Sequence, residues 1–406
     1  MQKLFEIQKI ILDLFQKSPL YWRQVFDTFT LNNRITGIIG NRGVGKTTFL
    51  LHTAQSQGAL EGKALYVSAD NIYFLQNGLL DLIDQLVKET RVRLICIDEI
   101  HKYPNWQQVL KNIADTYLDF KVLFTGSSMI DIVHGKTDLS RRVTLHTLNG
   151  FSFREYLEFS QGIHCPKLSN LEALFTHHTE FANALSMPDI LIHFKNYLTV
   201  GYYPFYRDLE TDYEKFQATN NTVQKTIYED IAILHSLKTN SLITIEQLYK
   251  YIISITPGEL NINKLANALG KDFNSVQTYL MLLQQAGLVR FLNPKPSGKG
   301  ALKNPVKIYA DNSNLIYAGL VTSQHENSIG TVRETFVMNQ VQNLGLSIFY
   351  SPVGDFQMDN NLILEIGGRN KTTKQIKNAD NAYVLADGIL IGHKNTIPLF
   401  LLGFLA

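Results

Sequence analysis

Apolar and polar positions follow two rhythms along this chain. Near its start Leu4, Ile7, Ile10, Ile11 and Leu14 recur at helical spacing, interrupted by Glu6, Lys9 and Asp13, so residues 1–17 predict an amphipathic helix. From Asn32 to Phe159 short apolar, β-branched runs alternate with amphipathic helical stretches. The strands expected there are 35–39, 64–67, 94–97, 121–125 and 143–148. Strands separated by helices imply an α/β class, with a parallel sheet covered by helices on both faces. Residues 165–237 are mixed and mostly helical, broken at the turn-rich Gly201-Tyr202-Tyr203-Pro204. Three helices follow from Ser241, then a Pro/Gly/Lys-rich excursion and a strand at 306–310. Beyond Glu326 strands are expected again, at 346–351, 361–366, 382–385, 389–391 and 398–404.

Composition narrows the picture without deciding it. A chain of 406 residues is too long for one ordinary core, so two or three domains are expected. Hydrophobic content of 45% and charged content of 18% exclude disorder and give a soluble balance. A net charge of +2 means that any nucleic-acid surface would have to be local. Cys96 and Cys165 have no ligand-like spacing, which suits a reducing cytoplasm and argues against a disulfide framework or a zinc site. The charged N-terminal helix is not a signal peptide, and the last apolar run, 397–406, holds Pro398 and Gly403 and is too short to span a bilayer. A cytoplasmic protein is expected.

The chemistry begins after the first strand. Gly40-Asn41-Arg42-Gly43-Val44-Gly45-Lys46-Thr47 fits G-x-x-x-x-G-K-[ST], between an apolar strand and a helix starting at Lys46. Such glycines let backbone N–H groups turn inward around a polyphosphate, and the helix N-terminus adds partial positive charge. Lys46 would reach the β and γ phosphates, Thr47 would ligate Mg²⁺, and Thr48 extends the contact surface. The plain alternative is a Gly-rich turn with an incidental lysine.

Hydrolysis needs a second magnesium contact and a group that orients water. Leu94-Ile95-Cys96-Ile97-Asp98-Glu99 offers both: Asp98 at the strand tip for the metal, Glu99 as general base. Acidic pairs at strand ends also cap helices, and that reading stays open. The next strand ends Leu123-Phe124-Thr125-Gly126-Ser127-Ser128, where a hydroxyl, Ser127 ahead of Thr125, would touch the γ-phosphate or the water unless it serves only as an N-cap. Ser140-Arg141-Arg142 precedes the fifth strand, and one of these arginines is an arginine-finger candidate in a homo-oligomer, against the ordinary role of a solvated or paired surface charge.

These segments carry a resemblance. GNRGVGKTT, LICIDEIHKYPNW, LFTGSS, LSRRV and LNGFSFREYL, in that order, resemble the AAA-superfamily ATPases of bacteria and archaea that bear a C-terminal domain of unknown function. The likeness continues at Val200-Gly201-Tyr202-Tyr203-Pro204, Lys307-Ile308-Tyr309-Ala310-Asp311 and Glu365-Ile366-Gly367-Gly368. It implies ATP as the nucleotide, Glu99 as the catalytic acid residue and Arg142 as the position matching the finger, although Arg141 fills the place usually held by a small residue. No base-reading motif of GTPase type is visible.

In the C-terminal half, 262–270 and 275–286 read as a helix-turn-helix, with Lys295-Pro296-Ser297-Gly298-Lys299-Gly300 as a wing. The resemblance likewise implies a winged helix. Its second helix holds no charged residue, so DNA contact would fall to the basic wing, Arg290, Lys295, Lys299, Lys303 and Lys307. Protein-protein contact is the competing use. The last segment resembles a reduced restriction-endonuclease-like fold. Asp355 and Glu365 stand at plausible spacing there, but Gly367 occupies the lysine position, and Lys371 would substitute only if the chain folds back. The expected division is an AAA-type P-loop domain at 1–160, a helical linker or lid at 161–240, a winged helix at 241–322 and a degenerate endonuclease-like domain at 323–406. The function expected is Mg²⁺-dependent ATP hydrolysis that moves the C-terminal region. A nucleotide-gated protein-binding or DNA-binding regulator, and a metal-dependent nuclease, are the rivals.

Overall fold

Five apolar runs in the first 150 residues close into one sheet. The computed structural model describes residues 1–17, 21, 23, 26, 29–127, 138–235, 237–258, 260–296 and 305–405. They fall into two compact units, one of residues 1–149 with 233–236, the other of 150–232 with 237–406.

The first unit runs α1 (Gln2–Lys17), β1 (Ile35–Gly40), α2 (Lys46–Ser56), β2 (Ala64–Ser68), α3 (Leu79–Glu89), β3 (Leu94–Asp98), α4 (Trp106–Thr116), β4 (Lys121–Ser127) and β5 (Val143–Thr147). The strand order is β2-β3-β4-β1-β5, and every pair is parallel. Alternation along the strands feeds two cores. Ile95, Ile97, Val122 and Phe124 face Leu82, Ile83 and Leu86 of α3 and Leu110 and Ile113 of α4. Leu94, Cys96 and Leu123 face Phe49, Leu50 and Ala54 of α2 and Leu12 of α1. Insertion of β4 between β1 and β3 matters most for function. It sets the tip of β4 between the two strand ends that carry the phosphate loop and the acidic pair.

The second unit begins with α5 (Phe153–Gln161), α6 (Leu171–Thr176), α7 (His178–Leu185), α8 (Ile190–Val200) and α9 (Asp212–Lys225), the last continuing as a π-helical segment, Thr226–Ile231; the short α10 (Ala232–His235) follows in the chain and from residue 233 is grouped with the first unit. Next come α11 (Thr239–Ser254), α12 (Ile262–Leu269) and α13 (Phe273–Gln285), then an antiparallel pair, β6 (Val289–Leu292) with β7 (Lys307–Ala310). After α14 (Ser313–Gly319) and α15 (Ile329–Asn343), strands β8 (Ile348–Tyr350), β9 (Phe356–Met358), β10 (Ile363–Gly367), β11 (Ala382–Ala386) and β12 (Thr396–Pro398) form a mixed sheet in the order β12-β11-β10-β9-β8.

Two expected strands are absent from that sheet. Residues 389–391 form a bend in which Leu390 and Ile391 are about half exposed, at 45% and 51%. Leu399–Phe404 is a 3₁₀ helix buried along its whole length. An unbroken apolar run carries no period, so a short buried helix and a strand look alike in sequence. Strand β9 is the converse case, three residues between polar turns.

A belt of buried amides and tyrosines organises this unit. Asn314, fully buried, accepts from Tyr202 N–H at 2.8 Å and donates to the Leu198 carbonyl at 2.8 Å and the Tyr197 carbonyl at 3.1 Å. Asn312 caps α14 through Asn314 N–H and Leu315 N–H, and its amide donates to the Tyr203 hydroxyl. Asn339 donates to the Asp311 carbonyl, and Arg290 pairs with the Asp311 carboxylate at 2.8 Å. Two segments that stood out in the sequence, Gly201-Tyr202-Tyr203 and Tyr309-Ala310-Asp311, therefore meet through polar groups that burial obliges to pair.

Candidate functional site

In the first unit, the loop after β1 turns on glycines the backbone requires. A Cβ on Gly40 would lie 2.1 Å from the Leu148 carbonyl oxygen. Gly45, immediately before α2, has φ 99°, in the left-handed region that side chains avoid. The loop so formed brings Lys46 back over its own carbonyls, donating to Gly40 O and Asn41 O at 2.8 Å each.

Asp98, at the end of β3, is the hub. Thr47 Oγ1 donates to Asp98 Oδ2 at 2.8 Å, and the Tyr66 hydroxyl donates to the same oxygen at 3.2 Å. Thr125 Oγ1 donates to Asp98 Oδ1 and accepts from Glu99 N–H at 2.9 Å. Burial first, and then the Asp98 charge, push the Tyr66 hydroxyl well above its usual range, so it remains a proton donor at neutral pH. Ser127 pairs in register with Gly40 across β4 and β1 and is buried. The fold thus gathers Lys46, Thr47, Asp98, Glu99, Thr125 and Ser127 at the carboxyl ends of β1, β3 and β4, where open parallel sheets place ligands.

Glu99 has a left-handed backbone, φ 51°, uncommon for a residue with a side chain. Its Oε1 lies 3.9 Å from Arg42 Nη1, and its Oε2 is ion-paired with Lys102 Nζ. Lys102 also pairs with Asp70 Oδ2 at 2.8 Å. Of the two arginines before β5, Arg142 grips Asp115 with Nε and Nη2, at 2.8 and 3.3 Å, whereas Arg141 is exposed. Ser128 lies outside the described residues.

Thr125, Tyr66, Lys102 and Asp70 were placed second or passed over in the sequence. Thr125 and Ser127 share one strand face, so alternation cannot rank them; the pairing of β4 with β3 does. Lys102 carried a legible signal, a cation three residues after a carboxylate. Tyr66 and Asp70 depend on the register of β2 against β3, which no local pattern reveals.

In the second unit, the basic stretch is mostly spent on internal partners. Arg290 bonds the Asp311 carbonyl, the Asp311 carboxylate, Gln342 and Asn343, leaving its side chain 12% exposed. Lys295 donates to the Asp359 carbonyl and to Asn361 Oδ1 at 2.9 and 3.0 Å, and Lys307 sits 3.9 Å from Glu334. Lys299 and Lys303 lie outside the described residues.

Around β10 the chain does fold back. The stem of Lys371 crosses the space a side chain at Gly367 would fill, 2.5–2.7 Å from an ideal Cβ there, and its Nζ pairs with Glu365 Oε1. Asp355 Oδ2 accepts from Ile366 N–H at 2.7 Å. Glu365 Oε2 is buried without a hydrogen-bond partner. Nearby, Glu334 accepts from the Tyr309 hydroxyl at 2.7 Å. Among the described residues no group of three or more His, Cys, Asp or Glu is arranged to hold a metal ion.

Burial, and then the Asp355 charge, raise the Glu334 carboxyl above the usual carboxylate range, against Tyr309 and Lys307. A carboxyl whose folded pKa is raised holds its proton more tightly when folded. Its contribution to stability is fully present below the unfolded pKa and is lost as pH rises through the folded value. Glu334→Gln, which keeps the acceptor for Tyr309 and cannot ionise, is therefore expected to raise the melting temperature more at pH 8 than at pH 5. Thermal melts across that range check this, and a gain independent of pH would count against it.

Residues 32–157 match the family model described as "AAA domain", and residues 191–325 match one described as "Domain of unknown function (DUF8612)", each over less than half of the chain. A comparison with curated proteins finds no match. Among solved structures, AMPPCP-bound DnaA from Aquifex aeolicus is 17% identical with a TM-score of 0.25, over 69% of this chain and 86% of that one. The Hsp104–ADP complex of S. cerevisiae is 15% identical with a TM-score of 0.29, over 70% of this chain and 39% of that one. A DNA replication initiation factor is 14% identical with a TM-score of 0.25, over 69% and 92%. The parallel sheet, the phosphate loop and the matched segment make residues 32–157 an AAA-type P-loop domain, a nucleotide-binding fold. No helix among the described residues is long and apolar enough to cross a membrane.

Proposed function

We propose that this chain is a Mg²⁺-dependent ATPase whose turnover moves its C-terminal region. One observation carries the reading: the hydrogen bond from Thr47 to Asp98, 2.8 Å long, joins the phosphate loop to the acidic strand end. A hydroxyl and a carboxylate in contact at that place form the oxygen set a hard cation takes beside a triphosphate. The backbone of Gly40, Asn41, Arg42, Gly43, Val44, Gly45, Lys46, Thr47 and Thr48 would hold the phosphates, with Lys46 contributing charge. Thr47 and Asp98 would hold Mg²⁺, which when bound neutralises phosphate charge. Glu99 would take the proton from the attacking water, and a hydroxyl of Ser127 or Thr125 would read the γ-phosphate. Arg142 would serve a neighbouring subunit only after leaving Asp115. The choice of ATP over GTP rests on the family resemblance.

Lys46→Ala is expected to lower affinity for a fluorescent ATP analogue by at least about tenfold, as a charge-assisted phosphate contact is lost. Turnover should fall with it. Unchanged binding would sink the phosphate-loop assignment.

A second reading belongs to the other unit and is favoured by one observation, the return of Lys371 onto Glu365. That contact supports the reading because a metal-dependent nuclease would need such a lysine beside its acids, here Asp355 and Glu365. Incubating the protein with supercoiled and linear DNA in Mn²⁺ tests it. Cleavage that disappears in both Glu365→Ala and Lys371→Ala would establish it; none with wild type would dismiss it. Arg290, committed to Asp311, Gln342 and Asn343, would add little to any DNA contact through the wing.

A further inference from the structure

We propose that Lys102 restrains hydrolysis by holding Glu99 in an ion pair, with Asp70 fixing the lysine in place. This rests on the hydrolysis reading above. A general base must present a free lone pair to water, and a carboxylate held by cations has its oxygens engaged elsewhere. Glu99 is in that condition, with the Lys102 ammonium on one oxygen and the Arg42 guanidinium within 4 Å of the other.

The restraint is built rather than casual. Lys102 is only 22% exposed and reaches Glu99 from the turn directly after it, in a short 3₁₀ segment, Ile100–Lys102. Asp70 anchors it from the far side and itself accepts from Ser68 Oγ. Ser68 is the residue of β2 paired in register with Asp98, so the anchor is tied to the sheet beside the metal-binding position. Burial alone would lower the Lys102 pKa, but bonds to Asp70 and Glu99 outweigh it and raise the value, while Lys102 is the chief cause of a lowered Asp70. Arg42, the second cation near Glu99, belongs to the loop after β1. Lys102 is thus a positioning residue, acting on water only through Glu99.

Steady-state ATP turnover of the full chain tests this. Lys102→Met, which keeps the stem and removes the charge, is expected to raise kcat by about three- to tenfold with KM unchanged. Lys102→Arg should return kcat to the wild-type value. Asp70→Asn should alter kcat in the wild-type background and have no further effect in the Lys102→Met background, a dependence that a merely structural role for Asp70 would not produce. A lower or unchanged kcat in Lys102→Met overturns the proposal, as does an equal effect of Asp70→Asn with and without Lys102. If wild type turns over ATP and Glu99→Gln does not, such a result strikes the restraint alone. If wild type, Glu99→Gln and Lys102→Met all lie at background, hydrolysis itself is refuted and the restraint falls with it.

Discussion

Glu99→Gln is expected to lower ATP turnover by about 10²–10⁴-fold while nucleotide affinity stays within about threefold of wild type. The substitution keeps size and shape. The backbone N–H of residue 99 still donates to Thr125, so the left-handed turn that aims the side chain persists. What is lost is the ability to take a proton. The contacts proposed to bind the triphosphate come from other elements, the loop after β1 and the hydroxyl–carboxylate pair of Thr47 and Asp98, and the substitution leaves them untouched. Loss of kcat with binding retained is the signature of an interaction made only in the transition state. Full turnover in Glu99→Gln would remove Glu99 from the mechanism and leave Asp98 as the sole informative acid. Single-turnover hydrolysis together with equilibrium binding of an ATP analogue separates these outcomes.

Asn314→Asp is expected to destabilise the second unit by about 3–4 kcal/mol, lowering its melting temperature by roughly 10 °C. The side chain has no exposure, and its amide supplies the Leu198 carbonyl near the end of α8 as well as the Tyr202 N–H. Carbonyls in the last turn of a helix have no partner within it, so the buried end of α8 depends on this donor. Aspartate matches asparagine in volume, accepts from Tyr202 as before, and presents an acceptor where Leu198 needs a donor. Any loss therefore reports the missing donor and the buried carboxyl rather than a cavity. Asn314→Ala should cost a similar amount through unpaired groups plus a void. Thermal or denaturant unfolding followed by tryptophan-independent probes, such as amide exchange in α8, measures it. A change under about 1 kcal/mol would mean that water replaces the asparagine at little cost.

The first unit was readable because its strands are short, apolar and punctuated. Each of the five expected strands coincides with an observed one to within two residues; β2 and β3 are apolar because they are buried on both faces, and helices between successive strands favour parallel pairing. The phosphate loop was readable for a sharper reason: its glycines answer to backbone geometry at fixed positions. What stayed hidden is the cross-strand register. Tyr66 and Thr125 touch Asp98 because β2 and β4 flank β3 at a particular offset, and neither residue announces that within its own segment. In the second unit the apolar ending 399–404 misled because a run without polar residues has no period to read. The basic stretch around Arg290 misled differently. Charge counts say which side chains can reach phosphate, and only packing says which are already committed, as Arg290 is to Asp311.

Residues 367 and 371 divide one volume between them. Any side chain at position 367 has to displace the Lys371 stem, and any loss of Lys371 leaves the buried Glu365 carboxylate without its cation. Neither position is then free to change by itself. A lysine moved onto the strand at 367 is admissible only together with a small residue at 371, so the two sites are sterically coupled. Intermediates along either single-step route carry a steric clash or an uncompensated buried charge. In descendants of this sequence the glycine and the lysine should be kept together or exchanged together.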